Sequence, residues 1–419
     1  MANINTWVKI GVRNLFKNKR RSFFTMGAIA LGFAAVNIFG GFTAYMFRGL
    51  EDSFIYAQAN GHLALFRKGF LTEGALNPEK YLFTETDLAT VQEVCAGFPE
   101  VDIVAPQLAL SGLISNGKVS TIFVGVGKVP SKMRAIRDKG KGLIGRVKLY
   151  DGKDLEDDDL RGVGLSKGLA DKLKLGFDSD LTLMGPTIDG QMNALDAMLY
   201  QLFDAPSEVL NDKMVGMTFK FAQTLYDSKS ADRITVLLKN QRNLEKVKQS
   251  LEEALAAKGV PVDIKTWEEL SFSFLKIRDM FTIIFLFVFI IVFVIVVLSV
   301  VNTISMAVME RTREIGTLRS LGLRRKGVVM LFAIESAMLG LFGSLMGLIL
   351  TLASWLAIYI SKPTWVPPTV TKRVPLEIYI VPEYIVLSLV FLVILAIIAA
   401  VLPARRAARM SIIDALGHV

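Results

Sequence analysis

Long uncharged runs of apolar residues alternate with charged segments along this 419-residue chain. Four runs reach the roughly 20 residues that a helix needs to cross a bilayer. They predict transmembrane helices at 22–47, 279–309, 327–360 and 384–402. Because a helix rises about 1.5 Å per residue, the second is longer than the hydrocarbon core is thick, and part of it should extend beyond the membrane as a stalk. Pro403 should end the fourth helix.

Between the first two helices, residues 48–278 contain frequent charges, glycines and prolines, and no run that could span a membrane. Leu108–Ser115 and Val119–Val124 flank Asn116-Gly117, which predicts a β-hairpin. Patterns of helix and strand follow at 163–184 and 234–265. We therefore expect a membrane protein with four transmembrane helices and a large α+β extracytoplasmic domain inserted between helices 1 and 2. Residues 186–206 fit no element.

The net charge of +9 comes from three basic segments, residues 1–21, 310–326 and 403–419. Basic residues beside membrane helices are typical of cytoplasmic segments, so we expect both termini in the cytoplasm and a short periplasmic loop at 361–383. A basic stripe can also indicate nucleic-acid binding. Here the charges border the apolar runs, and we expect no nucleic-acid partner.

Trp7, Ile10, Leu15 and Phe16 lie among the basic residues of 1–21, which predicts an amphipathic cytoplasmic helix along the inner leaflet. The apolar run after it is about twice as long as that of a signal peptide, so we expect an uncleaved anchor. One cysteine, Cys95, and two histidines exclude a disulfide within the chain and an ordinary Cys/His zinc site. We expect no metal, no cofactor and no catalytic residue in this chain.

The segment 310–326, called the charged segment below, connects the second and third helices. Its charges must lie outside the hydrocarbon, because each would cost about 2.5–3.5 kcal/mol inside it. Ile315, Leu318 and Leu321 repeat at helical spacing and predict an apolar stripe beside a charged face. The pattern alone fits a surface helix that docks on another protein and a solvated loop equally well.

Small residues at helical spacing predict close helix packing. The candidates, within one chain or between two, are Gly32, Gly40, Gly340, Gly343 and Gly347. Glu335, near the start of the third helix, should point into the bundle or toward the inner surface, since a charge facing lipid is costly. Asn37 and Asn302 are candidate hydrogen-bond partners between helices.

Two further motifs match enzyme signatures in part. Gly164-Leu-Ser-Lys-Gly168 has the spacing of a hydrolase nucleophile elbow, but the only later histidine is His418, across the membrane in this topology. We expect Ser166 to cap a helix instead. Gly140–Gly145 has the glycine spacing of a P-loop, but Arg146-Val147 replaces the required Lys-Ser/Thr, so it should not bind ATP.

Three segments carry a resemblance to the permease family that includes the lipoprotein-releasing permeases LolC and LolE, the macrolide-efflux protein MacB and the cell-division protein FtsX. They are Val12–Ser22, Met309–Gly322 and Pro403–Leu416. The middle segment is the most specific, and the resemblance extends over nearly the whole chain. Within the family, residues 195–238 are most similar to the lipoprotein-releasing members.

In that family the charged segment is the coupling helix, which lies in a groove of a separate ABC ATPase subunit. The resemblance implies this role for Glu310, Arg313, Glu314, Ile315, Gly316, Leu318, Arg319 and Leu321. It also implies a dimer of permeases, two identical copies or paralogues, over a dimer of ATPases that bind ATP and magnesium. Closure of the ATPases would move the long second helix as a lever, a mechanism called mechanotransmission.

The resemblance thus implies a non-enzymatic permease subunit of the bacterial inner membrane that extracts lipoproteins or other amphipathic cargo. Membrane lipids and a periplasmic carrier or adaptor are further expected partners. Two alternatives stay open: efflux of drugs, toxins or peptides by the same architecture, and regulation of a cell-wall hydrolase in the manner of FtsX.

Overall fold

The computed structural model describes residues 11, 13–14, 19–74, 76–140, 150–205, 208–366 and 373–417. The chain divides into two compact units. The helical unit comprises Met1–Met46, Ile277–Pro363 and Pro375–Val419, and the sheet unit comprises Phe47–Lys276 and Thr364–Val374. Most of the predicted amphipathic helix at 1–21, and all of the P-loop-like segment 140–145 except Gly140, lie outside the described residues.

The α-helices, in chain order, are α1 (Lys19–Asp52), α2 (Phe70–Glu73), α3 (Pro78–Tyr81), α4 (Glu85–Ala96), α5 (Pro130–Asp138), α6 (Lys167–Leu173), α7 (Phe219–Tyr226), α8 (Leu244–Ala257), α9 (Trp267–Leu270), α10 (Phe272–Glu310), α11 (Thr312–Ser320), α12 (Arg325–Ser361), α13 (Pro382–Arg409) and α14 (Ile412–Gly417). The strands are β1 (Leu63–Arg67), β2 (Val101–Ser115), β3 (Ser120–Lys128), β4 (Tyr150–Gly152), β5 (Gly162–Ser166), β6 (Asp180–Pro186), β7 (Met192–Phe203), β8 (Met214–Thr218), β9 (Arg233–Leu238), β10 (Val262–Thr266), β11 (Thr364–Trp365) and β12 (Val374–Pro375).

Within the described residues, four helices are long and apolar enough to cross a membrane: α1, α10, α12 and α13. The prediction of four apolar helices is confirmed. The expectation that Pro403 ends the fourth is wrong, because α13 continues through Pro403 to Arg409. A proline inside a helix removes one hydrogen bond and costs about 3 kcal/mol. Here Pro403 is buried, and Ala404, Ala407 and Ala408 of the same turns pack into the bundle core, which offsets this cost.

The predicted small residues make close contacts inside one chain. A Cβ atom at Gly343 would lie 2.8 Å from Cβ of Ile29, and one at Gly347 would lie 2.7 Å from Cβ of Phe33, both on α1. The remaining candidates have the same kind of neighbour: Gly340 at Val393, Gly32 at Val292 and Gly40 at Tyr384. Added side chains at these positions would therefore separate helices that now touch.

One predicted polar contact between helices is also present. The Nδ2 atom of Asn37 on α1 donates to Oγ of Ser388 on α13 at 2.8 Å. Asn302 on α10 lies at an exposed position.

The sheet unit has two lobes that share the long strand β2. Strands β1–β10 form one sheet in the order β10-β1-β9-β2-β3-β8-β5-β7-β4, with β6 paired to β2 and β7, and β11 and β12 form a separate two-stranded sheet. The first lobe packs β1, β9 and β10 with α4 and α8 around one hydrophobic core. The second lobe packs the end of β2 and strands β3 and β5–β8 with α6 and α7 around another.

Most sequence-predicted elements of this unit are present. Strands β2 and β3 pair as the expected antiparallel hairpin, with Ser115 opposite Ser120. In the turn, Gly117 has φ +82° and Oδ1 of Asn116 accepts from the backbone N–H of Val119 at 2.7 Å. Both the β9–α8–β10 and the β5–α6–β6 units are also present. The unassigned residues 186–206 contain β7, which pairs with β4, β5 and β6.

Candidate docking site

The charged segment begins with a short helix, α11, set between two long ones. α10 ends at Glu310, and Arg311 leaves the helical conformation with φ −114° and ψ 17°. At the other end, Gly322 has φ +99°, and the N–H of Leu323 bonds to the carbonyl of Leu318 at 3.0 Å. This is a Schellman motif, whose left-handed position favours glycine. Gly322 therefore explains the end of α11, and its start is marked by the break in helical conformation at Arg311.

One side of α11 is packed on the helical unit. Thr312, Ile315 and Gly316 are buried. Ile315 belongs to the core of the helical unit, together with Val328 and Ala407. Since α11 also packs against α14, and the guanidinium of Arg319 donates to the carbonyl of Met410, this side holds the helix in place.

The opposite side of α11 is exposed. Arg313 and Glu314 face outward, and Leu318 and Leu321 are 41% and 79% exposed. The predicted stripe of three apolar residues thus divides between two sides, with Ile315 inside. The reason is geometric: a step of three residues falls about 60° short of a full turn, so two steps carry Leu321 roughly 120° away from Ile315. The exposed leucines are available to a partner.

Ion pairs connect the charged segment to the neighbouring helices. Arg311 pairs with Glu314 at 2.9 Å and with Glu335 of α12 at 3.3 Å. The Arg311 and Glu335 side chains are only 12% and 7% exposed. Arg21 of α1 pairs with Glu310 at 3.0 Å. Glu335 thus points into the bundle, one of the two expected orientations, and the pairs hold the start of α11 against α1 and α12.

The structure sorts the eight predicted site residues by position. Three of them hold α11 to its own chain: Ile315, Gly316 and Arg319. Four lie on the exposed side: Arg313, Glu314, Leu318 and Leu321. The eighth, Glu310, pairs with Arg21 of α1. Sequence reasoning did not select Arg311 and Arg21. Their positive charges beside the apolar runs were visible, but their partners are distant in sequence.

The surroundings of Ser166 are not those of a catalytic nucleophile. The prediction that Ser166 is the N-cap residue of a helix is confirmed, because it holds the N-cap position of α6, but its side chain makes no capping hydrogen bond. Its side chain is fully buried; the hydroxyl donates to the carbonyl of Asn211 at 2.8 Å and accepts from the N–H of Met214 at 3.3 Å. The serine therefore links β5 to the start of β8. Within the described residues, no cluster of His, Cys, Asp and Glu could hold a metal.

Two family models match the chain. The FtsX-like permease C-terminal model matches residues 285–412, which include the charged segment. The MacB-like periplasmic core domain model matches residues 22–254.

Individual proteins match as well. The chain is 25% identical over 295 residues to an uncharacterized ABC transporter permease of Methanocaldococcus jannaschii, covering 69% of each protein. It is 28% identical over 189 residues to the macrolide export ATP-binding/permease protein MacB 1 of Yersinia pestis, a match that covers 45% of this chain and 27% of that protein. The crystal structure of the periplasmic region of MacB from Actinobacillus actinomycetemcomitans aligns with 50% of this chain and 90% of its own, at 12% identity and a TM-score of 0.36.

Proposed function

Because this chain belongs to the FtsX/MacB family of ABC transporter permeases, we propose that its charged segment docks on an ABC ATPase subunit and couples ATP hydrolysis to the outward movement of an amphipathic cargo. The observation that carries the proposal is the two-sided helix α11. One side is packed into the helical unit, and the other presents Leu318 and Leu321 beside Arg313 and Glu314.

The charge distribution supports a cytoplasmic location for this surface. Basic residues concentrate in 310–326 and at both ends of the described helical unit, where Arg405, Arg406 and Arg409 occupy the last turns of α13. Cytoplasmic segments are enriched in such residues. We therefore place both termini and α11 in the cytoplasm, and the sheet unit on the periplasmic side.

The exposed leucines can supply useful binding energy. Burying their exposed portions in a groove would contribute about 2–3 kcal/mol together, or roughly 30- to 150-fold in affinity. Their exposure in the single chain means that their removal should not destabilise the permease. Docking and folding can therefore be tested separately, because substitution of Ile315, on the packed side, should destabilise the permease itself.

The long helix α10 offers a route for the motion. It has 39 residues without a break and ends one residue before α11, so its length is about 58 Å against a hydrocarbon core of roughly 30 Å. Force applied to α11 would pass through the packed Ile315 and the Arg311–Glu335 pair into α10 and α12. We propose mechanotransmission by this route, in an assembly that pairs the permease with an identical copy or a paralogue.

Two kinds of cargo are candidates. The resemblance of residues 195–238 to lipoprotein-releasing permeases favours acylated protein. The relatives described as macrolide export proteins favour a macrolide-like drug. Both cargoes are amphipathic, and a periplasmic carrier or adaptor would receive either one.

Docking is tested with Leu318→Asp/Leu321→Asp in the full chain, purified with its ABC ATPase. The double variant should lose at least 30-fold in ATPase affinity and lose transport-dependent ATP hydrolysis, while its unfolding temperature stays unchanged. The matched control is Leu76→Asp, since Leu76 is 82% exposed in the sheet unit. Unchanged affinity in the double variant, or an equal loss in the control, would contradict the proposal.

Cargo is tested in proteoliposomes that contain the permease and the ATPase. Release of a fluorescent triacylated peptide on addition of ATP would support lipoprotein extraction, whereas ATP-dependent accumulation of a radiolabelled macrolide would support drug export. Stimulation of a cell-wall hydrolase without movement of either cargo would instead support the regulatory alternative.

A further inference from the structure

A cavity of about 230 Å³ lies in the sheet unit where the two lobes meet. Arg233 of β9 lines it from the first lobe, and Lys128 of β3, Phe203 of β7 and Met217 of β8 line it from the second. An engineered protein cavity of about 150 Å³ accepts benzene. The present cavity therefore has room for a somewhat larger molecule, and docking of the ATPase does not involve it.

The cavity wall has an excess of positive charge. Of the described residues that line it, four are basic and one is acidic: Lys128, Arg134, Arg137, Arg233 and Asp204. The carboxylate already pairs with Lys167, which is not part of the wall, at 3.2 Å.

Lys128 is held by neutral acceptors. Its Nζ atom donates to the carbonyl of Gln58 at 2.7 Å and to Oδ1 of Asn60 at 3.1 Å. An ammonium group has three N–H donors, so one donor is left for a ligand. Burial, and then the nearby charges of Arg233 and Arg137, lower the pKa of Lys128 to about 7. An anion in the cavity would stabilise the charged form of this lysine.

Arg134 and Arg137 are likewise held by neutral acceptors. Arg134 donates to the carbonyl of Leu155 at 2.9 Å, and Arg137 donates to the carbonyl of Ala57 at 3.1 Å. Neither contact involves a carboxylate. A guanidinium carries five N–H groups, so donors are left on both side chains.

Two polar groups in the wall are buried without a hydrogen-bond partner among the described residues. One is Nε of Arg233, which makes no hydrogen bond by geometry but forms an ion pair with the buried carboxylate of Asp232 at 3.5 Å. The other is Oε1 of Gln107. This side chain is 2% exposed, and its Nε2 atom donates to Oγ1 of Thr235. Rotating this amide by 180° would place an NH₂ donor there. Because buried polar groups are normally paired, the Gln107 atom points to a ligand, whereas the Nε atom of Arg233 already has its ion pair with Asp232.

The rest of the wall is largely apolar and includes Met133, Phe203, Met214 and Met217. Pockets for organic ligands combine such surface with a few fixed polar groups. We propose that this cavity binds a small organic anion, in which one carboxylate or phosphate group is joined to an apolar group about the size of a benzene ring. The anionic group accepts hydrogen bonds from Lys128 and Arg233, and the apolar group packs against the methionines and Phe203.

The proposal is tested by fluorine NMR titration of the full chain in detergent, with empty micelles as the blank. The probes are 4-fluorobenzoate and 4-fluorophenyl phosphate, and the neutral comparison is 4-fluorobenzamide. At least one anion should bind about tenfold more tightly than the amide, because charge-assisted hydrogen bonds are the stronger ones. Equal binding of all three, or no binding of either anion, would overturn the proposal.

Variants locate the site. Lys128→Met and Arg233→Gln should each weaken anion binding about tenfold or more, whereas Lys118→Met, at the exposed hairpin turn, should not. Gly216→Leu should abolish binding of every probe, since a Cβ atom there meets only the ring of Phe203, at 3.5 Å, and the longer side chain fills the cavity. If Lys128→Met or Arg233→Gln fails to fold, Gly216→Leu carries the test. Unchanged anion binding in the variants that fold would refute the site.

Discussion

Replacing Glu335 by Gln should loosen the charged segment without touching its exposed side. Glu335 pairs with Arg311 at 3.3 Å, and both side chains are nearly buried. Glutamine has almost the same shape, so the substitution removes the negative charge and leaves the packing of α12 intact. Arg311 then retains Glu314 as a partner, whose side chain is 52% exposed.

The expected loss of stability can be bounded from these contacts. Removing one partner of a buried ion pair costs about 3–5 kcal/mol, because a buried charge is left uncompensated. Glu314 is half exposed and screened by water, so it recovers only part of this cost. We expect Glu335→Gln to lower the free energy of unfolding by about 2–3 kcal/mol. Arg311→Gln/Glu335→Gln should be the more stable of the two variants, since no unpaired charge is left.

The assay is unfolding of the purified permease by sodium dodecyl sulfate in mixed micelles, combined with a double-mutant cycle. The cycle should give a coupling energy of about 1–3 kcal/mol between Arg311 and Glu335. Glu383→Gln is the matched control, because Glu383 is an exposed residue in the first turn of α13. A Glu335→Gln variant within about 0.5 kcal/mol of the native chain, or additive effects in the cycle, would refute this account of the charged segment.

Three further predictions concern the two units separately. Burial lowers the pKa of His62 to about 4 from 6.5. As the pH falls from about 6.5 to 4, the unfolded chain therefore binds a proton that the native chain does not. The sheet unit should lose about 3 kcal/mol of stability over this range, and His62→Gln should lose less. Gly347→Ala should lower the unfolding free energy by about 1–3 kcal/mol, since the new Cβ would lie 2.8 Å from the carbonyl oxygen of Ala30, whereas Gly27→Ala, with nothing within 4 Å, should not. Ser166→Ala should cost about 1 kcal/mol of stability and leave ATP-dependent transport intact, which would exclude its role as a nucleophile.

The sequence predicted those parts of the fold that depend on local pattern. Uncharged runs identified the four apolar helices, Asn116-Gly117 identified the β2–β3 hairpin, and the charges of 310–326 identified the candidate site. Strand β7 was missed, although Met192–Phe203 pairs with three other strands. Its polar and apolar residues follow no clean alternation, so partners distant in sequence decide its conformation.

Contacts distant in sequence also explain the other differences. The end of α11 follows from Gly322, but which side it buries depends on Val328 and Ala407. Helical spacing alone grouped Ile315 with Leu318 and Leu321. Likewise, Lys128 and Arg233 lie 105 positions apart in the sequence, and only the sheet brings them to one cavity. The docking role of α11 stays a prediction until a partner is observed there.

The central claim is that the exposed side of α11 lies in the cytoplasm against an ATPase, and a single engineered cysteine tests it. The natural Cys95 is fully buried, and burial raises the pKa of its thiol to about 11, so it should not react with maleimides. Leu321→Cys should be unreactive to a membrane-impermeant maleimide in intact spheroplasts, reactive in inverted vesicles stripped of the ATPase, and protected when the ATPase is restored. Labelling from the outside of spheroplasts, or labelling unaffected by the ATPase, would contradict the account.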